Sequence, residues 1–267
     1  MSKKVFATDA IKAGFQLFGK NWLMHILFMI GYVILLNLFK LILNPGGYKE
    51  MSVTLQSLSN PSMDARQWVT QMTRIHSSSF GPLLMYLISI FLGIYVLGYF
   101  LRHAQNRFNG FDELFKDVFT GKKIVNYFLA ILLIYLAVIG LAIEFIFLSF
   151  LLVGATKNII LGWVIASILF ILFIFYLYAR LFFALFLVVD KGIGAIDAIE
   201  QSWKKTKGNE GQIILFLILS ILLAILGFIL FIIGLLVMIP VIYLASSWFY
   251  VQLFDTEDSL ATSEEDV

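Results

Sequence analysis

Cysteine is absent from the chain. That excludes disulfides and thiolate metal sites and leaves the redox compartment open. Charge is scarce as well: 13% of the residues are charged, about half the share usual in soluble domains. The net charge of +2 is too small to argue for nucleic acid as a partner. Histidine occurs three times, at His25, His76 and His103, and none stands at metal-ligand spacing to another histidine or carboxylate. No nucleophile motif or glycine-rich phosphate loop occurs. The sequence therefore predicts no enzyme, no metal and no cofactor.

Apolar residues fill the space that charge leaves. They make up 61% of the chain, the mean hydropathy is +0.94, and phenylalanine alone occurs 27 times. Between Glu210 and Asp255 there are 44 residues without a charge. No soluble domain of this size could hide so much apolar surface, so the chain is read as an integral membrane protein. The start, Met1 to Lys20, is basic and then amphipathic, unlike a cleavable signal, and is expected to be retained.

A membrane-spanning helix needs about 20 apolar residues. Six segments qualify: 23–43, 80–101, 126–155, 158–189, 212–234 and 237–254. The fold class expected is all-α: a single polytopic membrane domain, 1–254, of six transmembrane helices in three hairpins. The last reversal is placed near Gly234 to Pro240, where both helix-breaking residue types occur. Residues 45–79 form an outer loop, with a short helix expected around Trp68, Val69, Met72 and Ile75. Residues 255–267 form an acidic tail, either a solubilising end or a docking peptide.

Basic residues set the orientation. With both termini cytoplasmic, the inner segments hold 13 lysines and arginines and the outer ones four (Lys49, Arg66, Arg74 and Lys157). Each inner segment also carries an amphipathic pattern just before a pair of spans. Its apolar positions are Ile11, Phe15, Phe18 and Trp22 in the first, and Phe108, Phe111, Phe115 and Val118 in the second. In the third they are Ile193, Ile196, Ile199 and Trp203. Such helices lie in the headgroup layer. The first and third match in letters: Asp9-Ala10-Ile11 precedes Asn21 by the interval at which Asp197-Ala198-Ile199 precedes Asn209. The chain reads as three units, each an interfacial helix plus a membrane hairpin.

The stretch Val188 to Asn209, with Asp190, Gly192, Gly194, Asp197, Ser202-Trp203-Lys204-Lys205 and Asn209, resembles a recurring signature. It is that of the membrane domain fused to some bacterial glycerophosphodiester phosphodiesterases and of its stand-alone relatives of unknown function. Phe15, Asn21-Trp22, Arg180 ten residues before Asp190, and a last hairpin with Gly234, Pro240 and Tyr250 fit the same pattern. The resemblance covers most of the chain. It implies a six-span protein of the prokaryotic cytoplasmic (inner) membrane, without phosphodiesterase activity, which in those fusions sits in a separate soluble barrel.

Ionisable residues inside spans mark candidate sites. Lys40 lies near the end of its span and is expected to snorkel. Glu144 lies near mid-membrane, where it is expected to hydrogen-bond Tyr32, Ser89, Ser220 or Ser246, or to serve as a proton or cation site. Glu144 and Arg180 lie roughly 18 Å apart along the membrane axis, too far for an ion pair, so Arg180 is expected to snorkel or contact phosphate. Asp197, Ser202, Trp203, Lys204, Lys205 and Asn209 are candidates for a lipid-headgroup or partner surface. Asp112, Glu113 and Asp117 read as a solvated face. The partners expected are membrane lipids and another membrane protein. The function expected is a non-enzymatic scaffold, assembly or accessory subunit. The alternative is a transporter or lipid-handling protein using Glu144 in a cavity between repeats.

Overall fold

The computed structural model describes residues 4–43 and 81–254, apart from the side chains of 81–83 and 231–233. The outer-loop helix expected around Trp68 and the acidic tail lie outside the described residues. Among the described residues all regular structure is helical. In chain order the helices are α1 (Ala7–Lys20), α2 (Trp22–Leu43), α3 (Gly81–Ala104), α4 (Phe111–Val118) and α5 (Gly121–Thr156). They continue with α6 (Ile159–Leu181), α7 (Ala184–Lys191), α8 (Ala195–Lys205), α9 (Glu210–Ile229) and α10 (Phe231–Phe254). Among the described residues six helical segments are long and apolar enough to cross a membrane: Trp22–Leu43, Leu84–Ala104, Gly121–Thr156, Ile159–Lys191, Glu210–Ile229 and Gly234–Phe254. The six expected spans are therefore present.

Two boundaries differ from expectation. The last reversal falls at Leu230, between Ile229 and Phe231, and not at Gly234 to Pro240. Both breakers sit inside α10, because glycine and proline are tolerated in membrane helices whose neighbours satisfy the freed groups. Gly234 serves close approach: a Cβ there would collide with the Gly227 carbonyl oxygen and with Leu230 Cβ. The fourth span is also not continuous to Val189. It turns at Phe182 and Phe183, and α7 follows as a separate short helix.

The chain forms two compact units, Met1–Ile26 with Ile94–Val267, and Leu27–Gly93. In the smaller one two polar side chains, those of Asn37 and Ser89, bond back to their own helices. Asn37 Nδ2 donates to the Val33 carbonyl at 2.8 Å, and Ser89 Oγ donates to the Met85 carbonyl at 2.8 Å.

In the larger unit the three short helices preceding pairs of spans each pack on the second span of a hairpin. On α1, Gly14 lies against α10, where a Cβ would meet the Val241 carbonyl oxygen at 2.6 Å and Ala245 Cβ at 2.7 Å. On α4, Val118 and Leu114 cover Gly98 of α3. On α8, Ser202 Oγ donates to the Arg180 carbonyl of α6 at 2.8 Å. The faces turned inward are made of small residues: Ala7, Ala10, Ala13 and Gly14 on α1, and Ala195, Ala198 and Ser202 on α8. The large apolar residues point away: Phe15 and Trp22 at 41% and 54% exposure, Ile196 at 71%. This reverses the arrangement of a soluble amphipathic helix, whose large apolar face meets the core. On α4 the predicted face divides, with Val118 buried and Phe111 and Phe115 exposed.

Candidate functional site

Buried Lys123, Arg180, Ser202, Thr206 and Asn209 gather where the basic connections join the spans of the larger unit. Three linkages hold them.

The first centres on Arg102, in the last turn of α3. Its Nε and Nη2 donate to Asp117 Oδ2 at 3.2 and 2.5 Å. Its Nη1 donates to Gln105 Oε1 at 2.9 Å and to Asp190 Oδ1 at 3.3 Å. Gln105 Nε2 donates to the same Asp190 oxygen at 2.9 Å, and Tyr250 OH donates to Asp190 Oδ2 at 2.9 Å. Lys123 Nζ donates to Asp117 Oδ1 at 2.7 Å. The cluster thus ties α3, α4, α5, α7 and α10. Each carboxylate oxygen carries at least one donor, which is the condition for holding buried charge. Asp117 is thus half-buried and paired within the cluster, whereas Asp112 and Glu113 of the expected solvated face are exposed. Burial raises the Asp117 pKa, but hydrogen bonds from Lys123 and Arg102 and their positive charges outweigh it and leave it lowered. Gly192 closes α7 at φ +62 with its N–H on the Val188 carbonyl at 3.0 Å, and this left-handed turn lets the Lys123 methylenes pass over it.

The second linkage corrects the expectation for Arg180. It neither snorkels nor faces the lipid. It is 4% exposed, and its Nη1 donates to Glu210 Oε1 at 3.0 Å. Glu210 Oε2 accepts from the Gly208 N–H at 2.7 Å. The guanidinium carbon lies 4.7 Å from the Trp203 ring centroid and 6.0 Å from that of Tyr176. Ser202 and Thr206 bond locally, Ser202 to the Arg180 carbonyl and Thr206 Oγ1 to the Ser202 carbonyl at 2.7 Å.

The third linkage caps α1 from a distance. The first N–H groups of a helix lack intrahelical partners. Here Asn209 Oδ1 accepts from Val5 N at 3.1 Å and Gln212 Oε1 accepts from Ala7 N at 3.1 Å. The start of α9 thereby fixes the start of α1.

These contacts divide the predicted surface. Ser202 and Asn209 are buried and hold the fold together, so they do not belong to an exposed lipid or partner surface. Asp197, Trp203 and Lys204 are exposed, and Lys205 is half-buried. Lys204 pairs with Glu200 one turn away, which lowers the Glu200 pKa.

Glu144 lies exposed on α5. The serines expected beside it are turned to their own helices: Ser220 Oγ donates to the Phe216 carbonyl and Ser246 Oγ to the Ile242 carbonyl, both at 2.8 Å. The apolar cavity between α6, α9 and α10, about 490 Å³, is lined by Tyr178, Phe216, Ser220 and Ser246 among others and does not include Glu144. Lys40 is exposed on α2. Among the described residues no group of three or more histidines, cysteines or carboxylates could hold a metal ion.

Sequence reasoning missed Arg102, Asp117 and Lys123 as a cluster, and Glu210 as the partner of Arg180. The available signal was position: Arg102, Lys123 and Glu210 are ionisable residues at the edge of a span, and Asp117 lies on the short helix α4 between two spans. No family model, curated protein or solved structure matches the chain. The likeness of residues 188–209 to the phosphodiesterase-associated membrane domain rests on sequence alone.

Proposed function

We propose that this is a non-enzymatic scaffold or accessory subunit of a prokaryotic cytoplasmic membrane, with both termini cytoplasmic. Its partners are membrane lipids and another membrane protein. One observation carries the reading: the short helices α1 and α8 turn small residues to the fold and large apolar residues outward. That arrangement suits helices lying in the headgroup layer and offering a surface there. The polar clusters support the same reading, because Arg102, Asp190, Arg180 and Glu210 are consumed in tying helix ends together. Transport draws no support from Glu144, which faces outward and does not line the apolar cavity between α6, α9 and α10.

The test is purification of the tagged chain in mild detergent, with mass spectrometry of all proteins and lipids retained. A stoichiometric membrane protein, lost when Phe15, Trp22 and Ile196 are changed to serine, is the expected result. A lone chain carrying a transported small molecule would overturn the proposal.

A further inference from the structure

A cavity of about 600 Å³ opens between α1, the end of α3 and the end of α10. Its volume is that of an ordinary ligand site. Its lining includes Gln16 and Lys20 of α1, Asn106 and Arg107 after α3, and Trp248 and Gln252 of α10. Among the described residues no carboxylate lines it. Among the described residues neither Lys20 nor Arg107 has an ion-pair partner. The neighbouring cavity, about 520 Å³, shares Arg107 but is lined also by Glu113 and Asp117, so its positive charge is offset.

Arg107 is not needed to cap α3. The helix closes by its own backbone: Arg107 N donates to the Arg102 carbonyl at 2.8 Å and Asn106 N to the His103 carbonyl at 3.2 Å, with Asn106 at φ 55. This is the two-bond left-handed closure in which asparagine stands in for glycine. It satisfies the last carbonyls and leaves the Arg107 side chain available. Gln105 is fully engaged with Arg102 and Asp190, so it forms a fixed wall of the cavity.

We infer that this cavity binds the phosphodiester headgroup of one anionic membrane lipid. Two cations without a counter-charge among the described residues, Lys20 and Arg107, supply the attraction. The side-chain amides of Gln16 and Asn106 supply neutral donors. Trp248 supplies the amphipathic ring that favours the membrane–water boundary. A lipid, and not a free phosphate ester, is the source because the cavity lies at the ends of two spans, α3 and α10, where lipid headgroups meet the chain. Such a site is independent of any scaffold role.

The test is native mass spectrometry of the full chain, purified in neutral detergent and offered equal phosphatidylglycerol and phosphatidylcholine. The wild type is expected to retain one phosphatidylglycerol with a preference of about 30-fold. In Lys20→Gln/Arg107→Gln the preference should fall to parity. In Lys116→Gln/Lys122→Gln, which removes equal charge away from the cavity, it should persist. All four positions are exposed, and melting curves of the variants should match. Retained preference in the first variant, or equal loss in the second, would overturn the site. Displacement of the lipid by glycerol 3-phosphate at equal concentration would overturn the lipid assignment. Absence of a partner protein would leave all these outcomes unaffected.

Discussion

Tyr250 is wholly enclosed, while Ile160 is 76% and Phe150 70% exposed, although all three belong to the larger unit. The end of the unit carrying the basic connections is dense with rings and ion pairs. Phe183 alone stands near Phe186, Phe249, Tyr250 and Phe254. The far end, at the turns after α5 and α9, is held by close helix approach. There Lys157 takes the left-handed conformation and Asn158 Oδ1 accepts from Leu161 N at 3.2 Å. The contrast teaches how such a protein obtains specificity. In lipid there is no hydrophobic drive between helices. Unique packing comes from polar links where water ends, and from small residues where backbones meet.

The largest way to break this contrast is Arg102→Leu. It leaves Asp190, whose side chain is 8% exposed, without its main cation. A loss of about 3 kcal/mol is expected from uncompensated buried charge, read as a lowered unfolding midpoint in detergent. Next is Gly14→Leu, which forces α1 off α10 against the 2.6 Å limit at Val241. Overpacking of this kind costs about 2 kcal/mol. By contrast Gly19→Ala, where nothing lies within 4 Å, should hold or slightly raise the midpoint. Ser202→Ala removes one hydrogen bond to the Arg180 carbonyl and should cost about 1 kcal/mol, checked by the same unfolding curve.

The pH response sharpens the comparison further. The folded pKa of Asp117 lies below its unfolded value. Its contribution is therefore fully present above about pH 3.9 and is lost as pH falls through the folded value. Acid titration should loosen α4, seen as faster amide exchange at Leu114 and Val118, before the far-end turn at Asn158 responds. Asp117→Asn should abolish that acid step. The smallest effect belongs to Glu200→Gln, which breaks an exposed pair on α8 and should leave the midpoint unchanged, as surface pairs usually do.

The spans were legible because a membrane helix requires an apolar run long enough to cross the bilayer, and soluble helices rarely sustain one. The signal at Gly234 and Pro240 misled because those residues break helices in water but are accommodated between membrane helices. Ile11, Phe15, Phe18 and Trp22 disclosed an amphipathic helix by their spacing. Which side faced the protein was not legible, since in a membrane protein the large apolar side can face lipid and the small side can face helices. Arg180 showed its depth but not its partner, because Glu210 lies 30 residues away and only the turn through α7 and α8 brings them together.

By itself the sequence determined the helical class, the number of spans, and the placement of charge at their ends. These follow from composition and local period, which need no knowledge of neighbours. Only the tertiary structure decided which charges pair, which serines turn inward, and which cations stay without a counter-charge. Those are properties of distance across the fold, and a pairing between Arg102 and Asp190, 88 residues apart, has no local trace.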